Sequence, residues 1–164
     1  MTKYESNVKM IMAPVELVYQ KLSNLENLRP MLENVQHNET LKAQIEAAGQ
    51  DAQALEKLKE VRLTEDSIAI PAPMIGEIAL RIIEREENKT VKFETEQSPI
   101  KANMWIQVLP TSEVITADGT QGTKMRLTLK ADLNPMLKMM LGKKLEEGID
   151  RFAEILARSL FISS

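Results

Sequence analysis

The sequence predicts an α+β fold: a curved antiparallel sheet of about seven strands closed around one long C-terminal helix. Three observations carry that expectation. From residue 61 to residue 131 apolar and polar residues alternate in successive runs, so each strand has one covered and one open face. From about residue 135 to 161 a single apolar stripe at helical spacing supplies the cover. Before all of this, one alternating run leads straight into two short helical patterns and an added charged helical segment.

The elements follow in order. Residues 4–12 alternate after Ser6, with Val8, Met10 and Met12 on one side and Asn7 and Lys9 on the other, the signature of a half-buried strand. Ala13-Pro14 ends it, and proline suits the first turn of a helix carrying Val15, Val18, Tyr19 and Leu22. Ser23-Asn24 closes that helix and caps a second one with Leu25, Leu28 and Leu32. From Glu39 to Val61 a thin, alanine-rich face predicts a peripheral helical element, with Gly49 as a break point.

Period two then takes over. A hairpin turns at Glu65-Asp66 with Ile68 and Ile70 inward, and Pro71 and Pro73 mark a strand end or edge. A second turns near Asn88, with Ile78, Leu80 and Ile82 facing Val91, Phe93 and Thr95. Ala102, Met104, Ile106 and Val108 share a face, as do Met125, Leu127, Leu129 and Ala131 after the loop "ADGTQG". Asn134-Pro135 is a cap followed by proline, and the helix it starts carries Leu137, Leu141, Leu145, Ile149, Phe152, Leu156 and Leu160.

Composition bounds the chemistry. The 164 residues suit one domain over 1–164. A net charge of -3 gives no electrostatic footprint for nucleic acid. The chain has no cysteine, which removes thiolate nucleophiles and zinc-thiolate sites, and its one histidine, His37, excludes a multi-histidine metal cage. No cofactor and no metal are expected. "MTKYESNVKMIM" lacks an apolar core of signal-peptide length, and no run approaches the roughly 18 apolar residues of a membrane span, so a cytoplasmic protein is expected.

The stretches "VKMIMAPVELVYQKLSN", "DSIAI", "WIQVLP" leading into "GTKMRLTLKADL", and "RFAEILARSL" resemble the START-like superfamily, which includes the birch-pollen allergen, lipid-transfer domains and polyketide cyclase/dehydratases. The resemblance spans nearly the whole chain and implies a helix-grip fold. A helical insertion at about 37–60 departs from the commonest pattern. The resemblance also implies an apolar pocket between sheet and final helix. Its candidate lining is Met31; Ile68, Ile70, Ile78, Leu80 and Ile82; Val91, Phe93, Met104, Ile106 and Val108; Met125, Leu127 and Leu129; and Met136, Leu137, Met140, Leu141 and Leu145.

Methionine is flexible and polarizable, so Met31, Met104, Met125, Met136, Met139 and Met140 suit a surface that repacks around apolar guests, although methionines at such spacing also fill cores. Gly142 and Gly148, inside the final helix, either let its first turns bend away or pack close to the sheet; close packing is the preferred reading. His37, among polar neighbours, reads as solvated. Trp105 shares parity with Asn103 and Gln107 on the outer face, where Arg126 is the expected cation–π partner. The favoured function is binding or transfer of a small apolar or amphipathic molecule. The alternatives are a cyclase- or dehydratase-like enzyme, which requires a buried acid or base and for which no catalytic residue stands out, and a module binding a protein partner through Trp105 or the insertion.

Overall fold

The N-terminal alternating run forms two short strands, β1 (Thr2–Glu5) and β2 (Lys9–Ile11), both antiparallel to the same partner. The computed structural model describes residues 2–30, 61–72, 76–96 and 100–159. After β2 come α1 (Val15–Leu22), a 3-10 turn (Leu25–Leu28), β3 (Arg62–Leu63), β4 (Ser67–Ala72), β5 (Gly76–Glu86), β6 (Thr90–Thr95), β7 (Ala102–Ile115), β8 (Gln121–Ala131) and α2 (Pro135–Ser159). The strands make one sheet in the order β1-β8-β7-β6-β5-β4-β3, with β2 also on β8. The insertion at 37–60, His37, Met31, Leu32, Pro73 and Leu160 lie outside the described residues, as does the side chain of Ile70.

The break between β1 and β2 is a one-residue bulge. Glu5 pairs with Thr128 and Lys9 with Met125, so the first segment advances four residues while β8 advances three. Ser6 fixes the step: its N–H donates to the Leu127 carbonyl and its Oγ accepts from the Leu127 N–H, both at 2.9 Å. An added residue exchanges the faces of everything after it. Tyr4 therefore faces inward before the bulge, and Lys9 and Ile11 face inward after it. The even-numbered alternation is thus corrected: Val8, Met10 and Met12 are 48%, 42% and 71% exposed, and Ile11 is the buried residue.

The other local signals act where they stand. Asn24 Oδ1 accepts from the Glu26 N–H at 3.0 Å and caps the 3-10 turn, while Arg85 Nε donates to the Ser23 carbonyl and ties the end of α1 to β5. Thr64 and Ser67 close the β3–β4 hairpin, and Asn88 closes β5–β6 at φ 60, a conformation asparagine tolerates. Asn134 Oδ1 accepts from the Leu137 N–H at 2.8 Å and caps α2.

Phe93, Met125, Leu127 and Leu156 are among the large side chains sealed between the inner sheet face and α2, joined by Val18, Leu22, Leu25 and Leu28 from the elements after β2. A smaller cluster of Ile100, Ala102, Ala131 and Leu141 lies under the N-terminal half of α2. Gly122 permits close approach where β7 bends: a Cβ there would stand 2.8 Å from the Val114 carbonyl oxygen and 2.9 Å from that of Ile11.

Candidate functional site

The inner sheet face and α2 together form an apolar interior, and its lining comes from regular pairing. Cross-strand rows carry it from strand to strand: Ile68 beside Leu80, Ile82 beside Phe93, Phe93 beside Met104, and Met104 beside Leu129. Ile68, Leu80, Ile82, Val91, Phe93, Met104, Ile106, Val108, Met125, Leu127 and Leu141 are buried. Ile78, Leu129, Leu137 and Leu145 face the same interior and are only half-buried. Ile70 takes its register place opposite Ile78.

Met136 and Met140 depart from the expected lining, at 70% and 44% exposed, and Met139 is exposed with them. Helical phase is the reason. Leu137 and Leu141 take the sheet side of α2, and residues one position earlier stand about 100° around the helix. The methionines crowd the start of α2 on its solvent side.

Lys9 and Tyr4 bring polar groups into the interior from positions that alternation assigned elsewhere or left unassigned. Lys9 has a side chain only 12% exposed and places Nζ 2.8 Å from Glu154 Oε2 and 3.2 Å from Asp150 Oδ1 on α2. The Asn7 N–H adds a 2.8 Å hydrogen bond to Asp150, and Arg158 engages Glu154 from the next turn. Burial by itself lowers the Lys9 pKa, but the hydrogen bonds and charges of Glu154 and Asp150 outweigh it and hold the ammonium above its ordinary value. Burial likewise raises the Glu154 pKa, and the bonds from Lys9 and Arg158 reverse that to a net lowering. Chemically this is a locked ion pair: an ammonium so held is a clamp on α2 and not a proton acceptor.

Tyr4 is the second. It is 8% exposed, it stands opposite Leu129, and its hydroxyl has no hydrogen-bond partner among the described residues. The oxygen lies against Gly142 of α2, where a Cβ would approach it to 3.2 Å. Gly142 is therefore a point of close packing, while Gly148 has nothing within 4 Å of the same position. The signal for both polar groups was the register of β1 and β2 on β8, which no local window contains.

On the outer face Trp105 sits between Lys92 and Lys130, whose Nζ atoms lie 5.2 and 5.6 Å from the ring centroid. The expected partner, Arg126, instead pairs with Glu5 at 3.3 Å. A groove of about 610 Å³ on this face runs past Val8, Met10 and Leu109, with Lys89, Lys124 and Glu113 at its sides. Among the described residues no group of three or more histidine, cysteine or acidic side chains is placed to hold a metal ion, and no helix is long and apolar enough to cross a membrane.

No protein-family model matches the chain, and no curated protein sequence matches it. Solved structures do. A protein from Thermus thermophilus is 18% identical with a TM-score of 0.60 over 97% of each chain. Truncated norcoclaurine synthase from Thalictrum flavum is 10% identical with a TM-score of 0.62, over 99% of this chain and 95% of that one. A START superfamily protein from Mycobacterium smegmatis is 13% identical with a TM-score of 0.52 over 96% of each chain. At such identities the likeness is one of architecture, and it agrees with the sheet order and the long closing helix described above. The chain has the START-like helix-grip fold.

Proposed function

We propose that the protein binds a small apolar or amphipathic molecule between the inner sheet face and the N-terminal half of α2. The observation that carries this reading is the incomplete burial of Ile78, Leu129, Leu137 and Leu145, four apolar side chains from three elements that all face the interior. A core closed on itself would seal them as it seals Phe93 and Leu127. The two halves of α2 also differ. Ile149, Ala153, Ile155 and Leu156 are buried in its C-terminal half, where Lys9 clamps Asp150 and Glu154, while Leu141 is the buried residue of its first turns. Entry beneath the first turns would leave the clamp intact.

The driving force is desolvation. At roughly 25 cal/mol per Å² of apolar surface, a guest burying on the order of 300 Å² gains about 7 kcal/mol before the cost of association. Native mass spectrometry of the freshly purified protein, set against its denatured mass, tests the reading together with the fluorescence of an anilinonaphthalene probe. The expected result is a bound mass or probe uptake in the wild type that is lost in Leu145→Glu while the circular dichroism spectrum is kept. A wild type with a bare mass and no probe uptake would overturn it.

A further inference from the structure

Resting on that proposed site, we infer that the Tyr4 hydroxyl is its polar contact and that the ligand carries a neutral hydrogen-bonding oxygen, a carbonyl or an alcohol, rather than being a bare hydrocarbon. Buried hydroxyls in folded proteins nearly always have a partner, and an unpaired one calls for a reason. Tyr4 is buried by β8 on one side and α2 on the other, and its oxygen has no partner among the described residues. Its aromatic body fits the apolar interior, where phenylalanine would serve equally well. The oxygen is the part the fold leaves unused.

Its position joins it to the half-buried surface. Tyr4 is the cross-strand neighbour of Leu129, and Leu129, Leu137 and Leu145 pack against the same small cluster beneath the first turns of α2. The residue facing the hydroxyl is Gly142, so a small displacement of that half of the helix opens space at the oxygen that any larger residue would fill. A neutral oxygen suits the charges nearby: Lys138 is exposed on α2 and brings only its Cγ, 4.0 Å from the same Gly142 position, toward the hydroxyl. Lys9, the cation turned inward from the same strand pair, is already held by Asp150 and Glu154 and offers no free charge to an anion. A phenol can donate to a carbonyl and can both donate to and accept from an alcohol.

The test uses butyrophenone and butylbenzene, which share a carbon skeleton and differ by one carbonyl, as competitors for the anilinonaphthalene probe in the wild type and in Tyr4→Phe. The expected result is that Tyr4→Phe weakens the ketone about tenfold, in line with one buried hydrogen bond, and changes the hydrocarbon by less than about twofold. Because the substitution removes an unpaired group, the melting temperature is expected to hold or rise. Gly142→Ala, which brings a Cβ to 3.2 Å from the hydroxyl oxygen, is expected to erode the same ketone preference. Uptake of both compounds with no difference between wild type and Tyr4→Phe overturns this inference alone. A fall in the melting temperature of Tyr4→Phe by several degrees also overturns it, since the hydroxyl would then have a structural partner. Failure of the wild type to take up probe or either compound overturns the site itself, and this inference with it.

Discussion

Replacing Lys9 with methionine keeps an unbranched side chain, one heavy atom shorter, and removes the charge from between two carboxylates. Nζ lies 2.8 Å from Glu154 and 3.2 Å from Asp150, and the Lys9 side chain is 12% exposed against 21% and 35% for its partners. Hydrogen bonds to charged groups contribute roughly 1.5–3 kcal/mol when well shielded, and the partial exposure of both carboxylates screens these toward the lower end, so Lys9→Met is expected to cost about 2 kcal/mol. For a chain of this size that is a drop of about 4–8 °C in melting temperature. The pH dependence separates the ion pair from simple packing. Glu154 is held below its ordinary 4.5, so its contribution is complete above that value and disappears as pH falls through the depressed one. Lys9 is held above its ordinary 10.5, so its contribution is complete below that value and disappears as pH rises through the raised one. Thermal melts followed by circular dichroism should therefore show a constant gap between wild type and variant from about pH 5 to pH 10. The gap should close in acid. A gap as large at pH 3 as at pH 7, or none at pH 7, would show that the carboxylates are not what Lys9 contributes.

Two glycines should respond in opposite directions. Gly148→Ala meets open space inside α2 and is expected to stabilise by about 0.5–1 kcal/mol, whereas Gly122→Ala drives a Cβ into backbone oxygens that cannot rotate away and is expected to cost several times that in urea denaturation. Trp105→Ala removes the ring shared by Lys92 and Lys130 and is expected to cost about 1–2 kcal/mol in the same assay, with a loss below about 0.5 kcal/mol denying the two contacts any role. Met10→Lys should be tolerated within about 0.5 kcal/mol, while Ile11→Lys one position later should leave little folded protein in a thermal melt. Equal effects at the two positions would contradict the bulge.

Features fixed by a few adjacent residues were legible in the sequence. Asn134-Pro135 starts α2, Asn88 turns β5 into β6, and the inner faces from Ile68 to Leu129 follow from strict alternation, because each depends on contacts within one element or one hairpin. What was hidden depends on distant partners. The bulge at Ser6 exists only in relation to Leu127, more than a hundred residues away, so local alternation put Met10 where Lys9 and Ile11 belong. At Trp105 the register of β6 sets Lys92 directly opposite the ring, while Arg126 pairs with Glu5 of β1, a strand from the far end of the sequence. Met136 and Met140 were misplaced by a single step of helical phase, which methionine, being apolar and unbranched, does nothing to reveal. That the Tyr4 oxygen lies buried and unpaired required the third dimension.

The bulge also says something about how the amino-terminal edge tolerates change. Between Glu5 and Lys9 the chain holds one residue more than β8 requires, and the surplus is taken up at Asn7 and Val8, whose side chains are exposed. Removing either would let the two short strands merge into one while Tyr4, Lys9 and Ile11 kept their places on the inner face. The segment is thus a slack link: it holds one residue more than its partner strand while the pairing on either side stays intact, and it is the part of the sheet where a shorter chain would fold the same way.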